Sequence, residues 1–378
     1  MSKFIRSDIP SPCYVCDEAK LESNLQIMAE VQERSGVDII LALKGFSMWS
    51  TFPLVKNYLK GATASAVWEA KLAKYEMGGE VHCYSPAYKQ KDMDELLGLV
   101  NHLSFNSLHQ WQTFKTQVLA TGVSPGLRVN PENQEADTAL YDPCAPGSRL
   151  GILASQLVNA DLSGIEGFHV HNLCECDSFA TERTLQAIDD KFGRYLPSLK
   201  WLNIGGGHLM TKTGYDIEHL IASLTAFKKK YPYLRIIMEP GSAVAWQAGP
   251  LVAEVVDIVE NDGKILILDI SATAHMPDVL EMPYRPTITG AGSANEKAFS
   301  YKLGGNSCLA GDIIDSYSFD HEIQRGEKLV FEDMLHYTMV KTTFFNGVEH
   351  PAIGILRKDQ SFDLIKSFSY EEFKARLS

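Results

Sequence analysis

Along the first two thirds of the chain, short apolar runs alternate with stretches whose apolar positions recur every three or four residues. The runs predict strands at 38–43, 61–64, 81–84, 102–105, 126–130, 167–170, 201–204 and 235–238. The stretches between them predict helices at 66–76, 91–99, 108–121, 181–195 and 217–231. Eight strands alternating with helices give the count of a closed parallel (β/α)8 TIM-type barrel. An open doubly wound sheet fits the same pattern. Past residue 250 the texture changes, and strands at 252–259, 264–270, 328–331 and 338–344, broken by Gly and Pro clusters, predict a C-terminal β-domain. The apolar segment at 12–16 is expected to join it. The expected organisation is α/β: a barrel over 25–260 and a discontinuous β-domain from 1–24 and 261–378, closed by an amphipathic helix at 369–377.

In such a barrel, chemistry belongs at the C-terminal ends of the strands. Lys44 ends the first run, and Arg128 and Asn130 end the fifth. His169, His171 and Asn172 end the sixth, Gly205, Gly206 and Gly207 follow the seventh, and Glu239, Pro240 and Gly241 follow the eighth. Each has an ordinary structural explanation. A strand-end lysine is usually solvated, a strand histidine is usually a satisfied core residue, three glycines make a tight turn, and a buried carboxylate pairs with an arginine. Packing does not explain why all of them gather at one end. A lysine on a buried strand gives up its proton readily and condenses with an aldehyde, and pyridoxal phosphate is the aldehyde that needs such an anchor. Glycines let backbone amides converge on a phosphate. A strand-end carboxylate suits a protonated pyridine nitrogen, and an imidazole stacks on a flat ring.

Composition narrows the classes. A chain of 378 residues with 45% apolar and 22% charged positions makes a globular protein of about two domains. A formal net charge of −12 argues against a broad nucleic-acid surface and suits a cationic ligand. No run is apolar enough to span a bilayer and no secretory leader is read, so the seven scattered cysteines are expected to be reduced thiols in the cytoplasm. Cys13 and Cys16 fall within a strand, and Cys174 and Cys176 near His169 and His171 lack a second ligand pair at zinc spacing, so no metal is expected. No nucleotide-binding glycine motif of the P-loop or dinucleotide type is present.

Taken in order, LALKGF around Lys44, HVHNLCE at 169–175, GGG at 205–207, EPG at 239–241, GNSCLAGD at 305–312 and HYTMVKTTFFNG at 336–347 resemble the carboxynorspermidine/carboxyspermidine decarboxylases. These are alanine racemase-like, fold-type III pyridoxal-phosphate enzymes, and the likeness runs from about residue 10 to the end. The resemblance implies a homodimer with shared active sites, a carboxylated polyamine substrate, and neither nucleic-acid nor membrane partners. It makes Lys44 the Schiff-base lysine, Glu239 the pyridinium partner and Arg128 the neighbour of the phenolic oxygen. Gly205, Gly206, Gly207, Gly241 and Tyr337 become phosphate contacts. His169 or His171 stacks on the ring, with His171 preferred because it lies nearer the strand end. Cys308 becomes a proton donor supplied by the partner copy. Glu239, His275, Asp278 and Asp312 become substrate contacts. Diaminopimelate decarboxylases carry an arginine after EPG, suited to a second carboxylate; Ser242 stands there in this chain. The same fold also serves diaminopimelate and ornithine decarboxylases and amino-acid racemases.

Overall fold

Each of the eight apolar runs becomes a strand of one parallel sheet in the computed structural model, which describes residues 2–136 and 139–378. The strands are Asp38–Ile39 continued by Leu41–Ala42, Gly61–Ala64, Glu80–Tyr84, His102–Phe105, Ser124–Asn130, Gly167–His169, Trp201–Asn203 and Arg235–Met238. The first is interrupted at Ile40. Its first half pairs with the eighth strand and its second half with the second, so the sheet closes on itself. Ile40 N–H donates to the Met238 carbonyl at 2.9 Å and Leu43 N–H to the Thr63 carbonyl at 3.1 Å, carrying the pairing across the break. Strands such as Gly61–Ala64 and Trp201–Asn203 are buried throughout, as expected of a sheet covered on both faces. The crossover helices start on side-chain caps. Ser107 accepts from Gln110 N–H at 3.2 Å, and Asp177 accepts from Ala180 N–H at 2.9 Å. The helix expected at 66–76 is Val67–Leu72 extended by the π-helical turn Ala73–Met77.

At the N-terminal end of the barrel, Arg235 bridges Asp38 at 2.7 Å and Glu80 at 2.9 Å. Glu80 also meets His82 Nε2 at 3.1 Å, and the His82 and His102 rings stack with centroids 4.1 Å apart. Glu80, His82 and His102 are the one set of metal-type ligands brought together among the described residues, and Arg235 already occupies the carboxylate. Polar groups at this end of a barrel serve stability. The hydrogen bond from His82, joined by Arg235 against the cost of burial, holds Glu80 at about 2; burial, then His82, holds His102 at about 3. Unfolded Glu and His titrate near ~4.3 and ~6.5. Both groups therefore bind protons more readily in the unfolded chain. Their stabilisation is complete above those values and is lost as pH falls, for His102 from ~6.5 and for Glu80 from ~4.3. A Glu80→Gln chain is expected to lose less melting temperature than the wild type between about pH 5 and pH 3. Parallel curves would exclude Glu80 as a titrating group.

Two compact units divide the chain, Glu22–Val244 and Met1–Leu21 with Ala245–Ser378. The second is built on a mixed nine-stranded sheet. Leu251–Glu260 pairs with Cys13–Asp17, Lys264–Leu268 and Lys328–Phe331 within this sheet, so the barrel unit ends at Val244 and not at the expected residue 260. Cys13–Asp17 also pairs in parallel with Ala352–Leu356. The strand expected at 338–344 does not form: the segment holds the single 3-10 turn Met339–Lys341, flanked by Tyr337 and Asn346 with left-handed φ of 51° and 57°. Its β-branched and aromatic residues would fit a pleated surface, but the segment is not among the paired strands of the described residues. Phe299–Gly304, Ile313–Phe319, Ala352–Leu356 and Phe362–Lys366 are strands that sequence periodicity left unread. The closing helix, Tyr370–Leu377, begins on a capping box of Ser369 and Glu372. No helix among the described residues is long and apolar enough to cross a membrane.

Candidate active site

Parallel register sets the first layer of the site. Arg128 and Asn203 both stand opposite His169 on the neighbouring strands, so the three side chains point to the same side of the sheet at one level. Glu239 follows two residues after Ile237, which itself faces Asn203. That offset lets Asn203 Nδ2 donate to Glu239 Oε2 at 3.0 Å. His169 Nε2 lies 2.9 Å from Glu239 Oε1. Burial alone would raise the Glu239 carboxyl, but His169, and behind it His171 and Lys44, more than offset this and hold it below the usual carboxylate range. Glu239 is a buried carboxylate that stays ionised.

Lys44 sits in the turn that ends the first strand. Gly45 and Phe46 N–H groups both fold back onto the Ala42 carbonyl. The Lys44 side chain keeps exposed surface, while protein packs around its amine. Lost hydration lowers the amine from the ordinary lysine value; Glu239 draws it back up and Arg128 pushes it further down. Its Nζ lies 3.2 Å from His171 Nε2. Lys44, Thr63, Ala64, Ser65, Tyr84, His169, His171 and Glu239 line one pocket. Arg128 borders this group: its guanidinium lies 4.4 Å from the Tyr84 ring centre, and its Nη2 donates to the His171 carbonyl at 3.0 Å. Tyr84 meets the His169 ring edge-on at 5.2 Å and donates its hydroxyl to Asn106 Oδ1 at 2.7 Å. The two histidines thus face one space from different positions, His169 beside Glu239 and His171 beside Lys44.

The glycine run has a packing role of its own. A Cβ on Gly206 would lie 2.4 Å from the Glu239 carbonyl oxygen, and one on Gly207, whose φ is +89°, would lie 2.2 Å from the Leu173 oxygen. Two of the three amides expected at a phosphate are engaged within the chain. Gly205 N–H donates to Asn203 Oδ1 at 2.8 Å, and Gly206 N–H donates to His171 Nδ1 at 3.2 Å. Gly241 begins the turn into the short helix Ser242–Ala245, with Val244 N–H on its carbonyl. Ser242 Oγ donates to Glu175 Oε1 at 3.4 Å, and Glu175 itself has a left-handed φ of 52°.

The remaining expected residues lie in the sheet unit. Cys308 is an exposed thiol on the connection between Phe299–Gly304 and Ile313–Phe319, its N–H held by Asn346 Oδ1 at 2.8 Å. Tyr337 takes a left-handed φ that bulky side chains rarely adopt. Asp312 is buried and accepts from Ala272 N–H (2.7 Å), Thr273 N–H (3.3 Å), Ser307 N–H (3.2 Å) and Ser307 Oγ (2.6 Å). A carboxylate so engaged would reach a substrate amine only by giving up some of these bonds. His275 is likewise wholly buried, its Nδ1 accepting from Ser271 N–H at 3.2 Å. Asp278 is paired with Lys341, whose amine also meets Glu281 at 3.0 Å; a substrate ammonium would have to displace that lysine.

Sequence reasoning passed over Tyr84, Asn203 and Asn106. Tyr84 and Asn203 are the last residues of their strands, and that position was the available signal. The cavity fits the chemistry of a phosphorylated pyridine aldehyde. It offers one amine for the aldehyde, one ionised carboxylate for the ring nitrogen and flat imidazoles in its wall.

Comparison with known proteins bears on the same point. Residues 13–334 match the family described as pyridoxal-dependent decarboxylase, C-terminal sheet domain. The carboxyaminopropylagmatine decarboxylase of Synechocystis is 50% identical, over 98% of this chain and 96% of its own length. The carboxynorspermidine/carboxyspermidine decarboxylase of Campylobacter jejuni is 44% identical, over 97% and 98%. A crystal structure of carboxynorspermidine decarboxylase from Campylobacter jejuni complexed with norspermidine superposes with a TM-score of 0.91 at 43% identity, covering 97% of this chain and all of that one. Likeness of this extent in both sequence and fold leaves one placement: the chain belongs to the pyridoxal-dependent decarboxylases, and pyridoxal phosphate is its cofactor.

Proposed function

We propose that the chain decarboxylates a linear polyamine carrying an α-amino acid at one end, of the carboxynorspermidine or carboxyspermidine type, in polyamine biosynthesis. The observation that carries this reading is the flank of the EPG turn. Ser242 and Glu175 meet there, so the turn presents a hydroxyl and a carboxylate instead of a cation. Such a flank repels a distal carboxylate and suits a chain of ammonium groups. The cofactor, when bound, supplies an electron sink for the carbon that loses carbon dioxide. The chain's residues do the rest. Lys44 anchors the cofactor covalently, Glu239 keeps a positive charge on the ring nitrogen, and Arg128 faces the phenolic oxygen. His171 would line the ring, and Gly205, Gly206, Gly207 and Gly241 would border the phosphate. In this reading the protein works in the cytoplasm as a homodimer, and the exposed thiol of Cys308 from a second copy returns a proton to the product carbon.

The 50% identity to a carboxyaminopropylagmatine decarboxylase favours a second reading, in which the far end of the substrate is a guanidinium instead of an ammonium. The test is carbon dioxide release by the cofactor-loaded protein from carboxynorspermidine, carboxyspermidine, carboxyaminopropylagmatine, diaminopimelate and ornithine. The carboxylated polyamines are expected to exceed the last two in kcat/KM by at least about a hundredfold, because a site built for extra charged groups leaves them unpaired with a shorter substrate. Preference for the guanidino substrate selects the second reading. Activity confined to diaminopimelate or ornithine would discard both.

A further inference from the structure

The contact between Lys44 and His171 carries a consequence for the state in which the lysine waits for its cofactor. A backbone N–H can only donate, so the bond from Gly206 N–H to His171 Nδ1, at 3.2 Å, makes that nitrogen an acceptor. A neutral imidazole with Nδ1 unprotonated carries its hydrogen on Nε2. That nitrogen is the one 3.2 Å from Lys44 Nζ. An Nε2–H facing an amine needs a lone pair, which a free-base amine has and an ammonium lacks. Protonating Lys44 would set donor against donor, or force the ring into its other tautomer and turn an Nδ1–H toward the Gly206 amide. Gly206 also packs closely on the Glu239 carbonyl, where a Cβ would lie 2.4 Å from the oxygen.

We propose that His171, its tautomer fixed by the Gly206 amide, holds the Lys44 amine as the free base in the cofactor-free chain. The inference rests on reading Lys44 as the cofactor's anchor and extends it to the step before loading. Condensation of an amine with an aldehyde forms one C=N bond and releases one water, which carries off the carbonyl oxygen and both amine hydrogens. A free-base Lys44 begins that step directly, whereas an ammonium must first lose a proton to solvent. The charged groups around the amine do not impose this state by themselves. Glu239 and Glu69 favour the ammonium, Arg128 opposes it, and Cys174 lies on the side of the carboxylates. His169, beside Glu239, is held neutral by burial, as is His171. Lost hydration and the His171 donor therefore act together against two carboxylates.

The test needs no cofactor. Full-length, cofactor-free protein is labelled with trace acetic anhydride across a pH series, and the Lys44 peptide is quantified against exposed surface lysines in the same digest. Lys44 is expected to reach half-maximal labelling at lower pH than the surface lysines. In His171→Phe, which keeps a flat ring and removes the Nε2 donor, that midpoint is expected to rise by roughly one pH unit, a tenfold change in free-base fraction. A wild-type midpoint equal to the surface lysines, or an unmoved midpoint in His171→Phe, overturns the proposal. Should the variant fail to fold, selective ¹⁵N-histidine NMR of the cofactor-free wild type decides the matter. An Nε2–H tautomer at His171 supports the lock, and an Nδ1–H tautomer refutes it. Borohydride reduction of the loaded wild type separately reports whether Lys44 anchors the cofactor at all, so the two readings fail independently.

Discussion

Lys44→Ala is expected to abolish borohydride-trappable attachment of the cofactor and to lower carbon dioxide release by at least about a thousandfold, the scale typical of losing an activated nucleophile together with its acid–base role. The amine of Lys44 is the only lysine nitrogen lining the cavity among the described residues, so no neighbouring lysine stands ready to replace it. Non-covalent binding should persist, because Glu239, Arg128 and the glycine loop are untouched. Intact-mass analysis after reduction, with and without added cofactor, separates the two effects. A retained covalent adduct in Lys44→Ala would place the anchor elsewhere and undo the assignment of the site.

Glu239→Gln comes next in expected effect. The change is isosteric and removes only the charge. Glu239 is held ionised by the hydrogen bond from Asn203 and by its contact with His169, and its value to the reaction is to keep a proton on a ring nitrogen that must accept an electron pair. An amide cannot balance that positive charge in a buried site, so kcat is expected to fall by about 10²- to 10³-fold, comparable to removing one preorganised electrostatic contact. Folding should tolerate the change, since a neutral side chain escapes the desolvation cost of a buried carboxylate while keeping the Asn203 hydrogen bond. The combination to look for is lowered kcat with a nearly unchanged melting temperature. A chain that unfolds instead would show that Glu239 serves mainly to hold His169 and Asn203. Because the carboxyl sits below its usual range, its charge is complete throughout the neutral range, and no acidic limb near pH 4–5 in the kcat profile should trace to it.

The sequence by itself determined the eight barrel strands, the presence of a second sheet-forming region and the strand-end positions of Lys44, Arg128, His169, Glu239 and the glycine run. These are legible because alternation, helical period and a polar residue closing an apolar run are properties of contiguous residues. The tertiary structure alone decided which groups meet. The pairing of Asn203 with Glu239 joins residues 36 apart on two strands, and the pairing of Arg128 with Tyr84 joins residues further apart still. The split of the first strand at Ile40 likewise becomes visible only when the sheet closes, since each half answers to a different neighbour. Asp312 closes the GNSCLAGD stretch, where the resemblance makes it a substrate contact, yet folding delivers three backbone amides and a serine hydroxyl to it. The segment after Tyr337 has the composition of a strand, yet it folds as a 3-10 turn at Met339–Lys341. Local pattern sets what each segment is able to form; register and closure, which join residues far apart in the chain, set what each side chain touches and therefore its chemistry.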